Sequence, residues 1–136
     1  MMTTGTILVD KELTGEVIGA MFTVYNELGY GFWESVYANA LMVELSKRGL
    51  RVEREVLTQV YYQGQIVGQF RLDMVVEKRL VVEIKSCPKV GAVERRQLFN
   101  YLRATNYRLA LLLHFGPKPA FNRFIWTPKT RTLASD

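Results

Sequence analysis

The sequence predicts an α/β domain, at the border of α+β, in which an N-terminal helical hairpin precedes a mixed central sheet containing an antiparallel meander and a crossover helix. Three observations predict it. Apolar residues follow a helical period through residues 10–48, β-branched and aromatic runs replace that pattern after Gly49, and one amphipathic stretch lies between two strand-like runs. The 136 residues fit one domain, residues 1–136, large enough to bury a core without disulfide or metal staples.

From Asp10 to Leu28, the residues Leu13, Val17, Ile18, Met21, Val24, Tyr25 and Leu28 recur as one helix face, and Gly29 and Gly31 supply the stop. A second helix is expected from about Trp33 to Arg48, with Val36, Tyr37, Ala40, Leu41 and Leu45 on one side and Gly49 after a basic end. The runs "RVEREVLTQVYY", "IVGQFRLDMVVE" and "LVVEIKS", punctuated by "QGQ" and "EKR", read as three antiparallel strands. In "VERRQLFNYLRAT", Val93, Leu98, Tyr101 and Leu102 make an amphipathic helix, and "YRLALLLHF" and "FNRFIWT" follow as strands. A helix between "LVVEIKS" and "RLALLLHF" is a crossover that sets those strands parallel, a connection expected to be right-handed.

Composition excludes several classes. A hydrophobic fraction of 49% with 23% charged residues is ordinary for a globular chain and excludes wholesale disorder. The apolar run Leu109 to Phe115 falls far short of the roughly 20 residues of a membrane-spanning helix, so no membrane partner is expected. Cys87 is the single cysteine and forms no internal disulfide, and "MMTTGTILVD" lacks the basic and apolar regions of a signal peptide, which points to a cytoplasmic setting. A net charge of +5 favours a polyanionic partner such as nucleic acid.

The chemistry concentrates in "VVEIKS" and the strand before it. Strand alternation places Glu83 and Lys85 on one face with Val81, away from Val82 and Ile84. In "FRLDMVVE" the same rule sets Phe70, Leu72, Met74 and Val76 against Arg71, Asp73, Val75 and Glu77. A tight turn at Glu77 to Arg79 then brings Asp73 beside Glu83 and Lys85. One reading is a half-exposed sheet whose charges face water and pair across strands. The other is a reactive face, since two carboxylates can share a hard cation such as Mg²⁺. Upstream, Glu34 and Tyr37 in "GFWESVY" share a side of the second helix with Leu41, although an acid near a helix start also meets the helix dipole favourably. Downstream, Glu94, Gln97 and Tyr101 fall at helical spacing as a polar stripe, or simply as a solvated helix face.

Taken together, Gly31, Glu34 and Tyr37, then "RLDMVVEKRLVVEIKS", then "QLFNYL" resemble the GxxExxY family of the PD-(D/E)XK nuclease superfamily, from about Leu13 to Trp126. The resemblance implies a restriction-endonuclease-like core with Asp73, Glu83 and Lys85 as the acid, acid, lysine signature. Glu34 matches an additional acid on an early helix, and Gln97 with Tyr101 matches the helix motif of RecB-like nucleases. Leu72 stands where the superfamily's variable proline would be.

The activity so implied is phosphodiester hydrolysis in nucleic acid, DNA ahead of RNA, with Mg²⁺ or Mn²⁺ held by Asp73, Glu83, the Ile84 carbonyl and Glu34. Lys85 would position water and offset charge, while Gln97 and Tyr101 brace the site. Lys47, Arg48, Arg51 and Arg54, with Lys89, Arg95, Arg96, Arg103 and Arg108 around the third helix, are the basic residues open to phosphates. The alternatives are a catalytically silent nuclease-fold module that binds nucleic acid or a protein partner, and an assembly subunit with an ordinary ion-paired sheet face. A homodimer would suit cleavage of both strands. His114 reads as a satisfied sheet-end histidine, Cys87 as a packed thiol, and Trp33 and Trp126 as core or rim aromatics that are also able to stack on bases.

Overall fold

The computed structural model describes residues 2–127. The elements are α1 (Met2–Leu28), α2 (Glu34–Lys47), β1 (Val52–Tyr62), β2 (Gln65–Val76), β3 (Leu80–Lys85), α3 (Ala92–Ala104), β4 (Leu109–Phe115) and β5 (Pro119–Ile125). Helix α1 begins at Met2, earlier than the Asp10 start that apolar spacing predicts, and no proline intervenes to interrupt its hydrogen-bond ladder. The last strand also starts early, at Pro119. There β5 is an edge, where a missing N–H is tolerated.

One five-stranded sheet runs in the order β1-β2-β3-β4-β5. Strands β3 and β4 are parallel and every other neighbouring pair is antiparallel, so α3 is the crossover expected from the sequence. No helix among the described residues is long and apolar enough to cross a membrane.

The sheet is covered on both faces, which explains why β3 and β4 are almost continuously apolar. On one side Met74, Val76, Val82, Ile84, Leu111 and Leu113 pack with Met21 of α1 and Tyr37, Leu41 and Leu45 of α2. On the other, Val81, Ala110 and Leu112 pack with Leu98 and Leu102 of α3. Burying each Val, Leu, Ile or Met among them contributes about 1.5–3 kcal/mol against leaving it in water.

The alternation expected along β2 breaks at Asp73. Phe70 and Leu72 join the α3 side with Val75, whereas Met74 and Val76 face α1 and α2. Across the strand pair, Arg54↔Met74 and Val56↔Leu72 are in register, but Glu55 between them takes a positive φ of 50°. That left-handed residue turns the ladder locally, so one face of β2 changes hands at the carboxylate.

Beyond this point β1 and β2 continue without β3 as a two-stranded arm. Its tip is a turn at Gln63 and Gly64, both at positive φ (49° and 77°) as a two-residue hairpin of this hand requires. Leu57, Tyr61, Tyr62, Ile66 and Val67 are exposed along the arm.

The α1–α2 loop is held from beneath. Buried Tyr37 stacks on Phe115 at 4.5 Å between centroids, donates its hydroxyl proton to the Gly29 carbonyl at 2.5 Å, and accepts from the Phe32 N–H at 3.2 Å. Replacing Tyr37 by Phe keeps the stack and removes both loop bonds. Tyr37→Phe is expected to lower unfolding free energy by about 1–2 kcal/mol in urea titration, with an unchanged m-value; an unchanged midpoint would mean that the hydroxyl does not hold the loop.

Candidate active site

Strands β2 and β3 pair only from Met74↔Val82 to Val76↔Leu80, and then they separate. At the fork the two carboxylates take over from the ladder. The Asp73 N–H donates to Glu83 Oε1 at 3.0 Å, and the Ile84 N–H donates to Asp73 Oδ2 at 2.9 Å. Each acid thereby satisfies a main-chain donor of the other's strand, an exchange that needs a side-chain acceptor oxygen in both positions. Glu83 is buried, while Asp73 and Lys85 are half-buried.

Lys85 is two residues beyond Glu83, on the face that α3 covers. The Gly91 N–H donates to Glu94 Oε1 at 2.6 Å and holds that carboxyl low, with the Lys85 charge a smaller cause; since Gly91 has no side chain, only this return half of a capping box exists. Tyr101 stands over the pair from α3, stacked on Phe70 at 4.3 Å. Burial first, and then the charges of Glu83 and Asp73, push its phenol up, so the hydroxyl keeps its proton at neutral pH. Gln97 lies on the same stripe of α3 and is exposed.

Glu34, also exposed, accepts from the Ser86 N–H at 3.3 Å and so reaches the end of β3 from the start of α2. It marks the strand end without joining the Asp73–Glu83 pair through a hydrogen bond. His114, in register with Lys85 on β4, meets the Cys87 carbonyl with Nε2 at 2.5 Å, which is the satisfied histidine expected of a sheet end. Sequence reasoning passed over Phe70. Its one signal in the sequence was an aromatic three residues before Asp73 on the same strand.

Two of the basic residues have structural duties. Arg48 binds Glu16 at 3.1 Å and Glu44 at 3.0 Å, and Arg54 donates to Asn39 at 2.8 Å. Both hold α2 to neighbouring elements. Lys47, Arg51, Lys89, Arg95, Arg96, Arg103 and Arg108 are exposed. Trp126 is a rim residue, with Phe99 against its edge and the Arg103 guanidinium 5.8 Å from its ring centre.

The sequence model of the PD-(D/E)XK nuclease superfamily matches residues 11–124, from α1 into β5. The chain belongs to that superfamily. Among solved structures, the crystal structure of SSO0001 has the same fold, with a TM-score of 0.54 and 22% identity over 75% of this chain. The match spans 55% of the SSO0001 chain, little more than half its length. No curated protein matches the chain at a significant level.

The acid pair also has the makings of a metal site. Asp73 and Glu83 each commit one oxygen to a backbone N–H, and their second oxygens accept no such bond. A hard, oxygen-only donor set of this kind suits a divalent cation that keeps several waters. Among the described residues no group of three His, Cys, Asp or Glu side chains is close enough to hold an ion, so the fit is to two carboxylates completed by backbone oxygen and water.

Burial, and after it the nearby Asp73 charge, push Glu83 from its ordinary 4.5 up to about 8. The folded chain therefore binds this proton more tightly than the unfolded one. Its contribution to stability is full below about 4.5 and is lost as pH rises through about 8. In EDTA, the unfolding free energy is expected to fall by a few kcal/mol between pH 5 and pH 8.5, and Glu83→Gln should flatten that slope. An identical slope in the variant would show that Glu83 ionises freely.

Proposed function

We propose that the protein is a divalent-metal-dependent nuclease of the GxxExxY type, hydrolysing phosphodiester bonds in nucleic acid, with DNA preferred to RNA. The observation that carries this reading is the strand fork, where Asp73 and Glu83 exchange main-chain hydrogen bonds and Lys85 follows on the same face. A structural ion pair would need neither the splayed strands nor a second acid buried beside the first.

Bound at this pair, Mg²⁺ or Mn²⁺ supplies Lewis acidity toward the phosphate. Asp73, Glu83 and the Ile84 carbonyl would hold the ion, with Glu34 beside them at Ser86. Lys85 positions the attacking water and offsets the negative charge that develops on the phosphoryl oxygens. Tyr101, kept protonated, donates a hydrogen bond toward the pair or the phosphate, and Gln97 on the same stripe contacts the strand. His114 fixes the Cys87 peptide just beyond Lys85 and so limits where that lysine can move. The exposed arginines around α3 attract the polyanion, with an affinity that falls as salt rises.

The test is incubation with circular and linear duplex DNA, single-stranded DNA and RNA in Mg²⁺, Mn²⁺ or EDTA. Cleavage is expected only with metal and should drop at least about a hundredfold in Asp73→Ala and in Lys85→Ala. Activity that survives both substitutions would place the chemistry elsewhere, and absence of cleavage on every polymer would overturn the nuclease reading.

A further inference from the structure

Among the described large apolar side chains Trp33 is the most exposed, at 80%, and it immediately precedes Glu34. Nothing in the fold explains its presence there. It occupies the N-cap of α2, a position that favours Ser, Thr, Asp or Asn, and makes no side-chain cap bond. Its neighbours Phe32 and Tyr30 are also exposed, at 45% and 44%. The loop that carries them is rigid: Tyr37 bonds it at Gly29 and Phe32, and Glu34 ties its end to the Ser86 N–H. A braced loop that presents a large aromatic to water is costly unless something covers the ring.

The surroundings indicate what covers it. Strands β3 and β4 are parallel, so Lys85 and the Gly116–Lys118 turn lie at the same end of the sheet, and the Tyr25 hydroxyl ties that turn to α1 at the Gly116 and Pro117 carbonyls. Lys85, Lys89 and Lys118 thus gather at the sheet end that the aromatic loop borders. Cationic groups beside an exposed aromatic face complement a phosphate backbone with accessible bases. A duplex hides its base faces, whereas a single strand offers them.

We propose that Trp33, with Phe32 and Tyr30 beside it, is a stacking platform for unpaired bases of the strand whose backbone reaches Asp73 and Glu83. The substrate class is then nucleic acid with single-stranded character at the cleavage point. This inference rests on the nuclease reading for its substrate, but it is tested by binding alone.

The experiment compares a fluorescein-labelled single-stranded deoxythymidine oligonucleotide with the same strand in a blunt duplex, in EDTA and low salt. A Trp126→Phe background makes Trp33 the sole indole. Trp33→Ala is expected to weaken single-strand binding about 5- to 100-fold while changing duplex binding less than about twofold, and Trp33→Phe to retain most of the affinity. Quenching of Trp33 fluorescence should follow single-strand binding. Equal affinity in Trp33→Ala, an equal loss on both probes, or no binding to either probe would overturn the platform, the last outcome leaving the ring to a protein partner. Cleavage without Trp33-dependent binding would sink this inference alone. Trp33-dependent binding without cleavage on any polymer would support the platform and sink only the nuclease reading.

Discussion

The arrangement depends on a main-chain problem solved by two side chains. Where β2 and β3 diverge, the Asp73 and Ile84 amides lose their ladder partners, and an unpaired buried N–H costs roughly as much as a whole hydrogen bond gains. Glu83 and Asp73 supply the missing acceptors reciprocally. The acids are therefore structural groups that hold the fork and, for the same reason, two carboxylates fixed close together. Stability and the proposed chemistry would draw on one geometry, so that a substitution at either position disturbs the fork as well as the acid pair.

The electrostatic cost of that geometry falls unevenly. Glu83 is buried on the face that α3 covers, in register with Leu112 of β4, whereas Asp73 is only half-buried. A buried acid beside another acid resists ionisation until a cation arrives. Lys85 is the nearest resident cation on that face, with Tyr101 as a neutral donor above it. A chain carrying +5 overall thus keeps this acid pair beside Lys85, with the exposed Arg95, Arg96 and Arg103 on α3, an arrangement open to an anionic polymer.

Much of this was legible in the sequence because it follows from period. The helical hairpin, the meander, the crossover helix and the common face of Glu83 and Lys85 all come from spacings of 3.6 or 2. The side change in β2 did not, because it arises from one left-handed residue, Glu55, on the neighbouring strand, and strict alternation cannot contain it. The partners of Arg48 and Arg54 were equally invisible, since a basic residue bound across helices has the same letter as one facing solvent. The exposure of Trp33 depends on how Tyr37 hoists the preceding loop, a contact between residues whose spacing alone gives no direction.

The two-stranded arm meets these constraints only at its base, where Phe70 stacks on Tyr101. Between Glu55 and Arg71 it carries no charged residue, and its outer strand β1 is a sheet edge. Hairpins without a third strand open readily, and their amides exchange with solvent faster than those of a central strand. Since the Asp73–Glu83 fork is fastened to β3, opening confined to the part of the arm beyond Phe70 can come and go without disturbing the carboxylates. The turn at Gln63 and Gly64 is accordingly the place where the chain would accept an inserted peptide, or a graft of new recognition, at least expense to the acid pair.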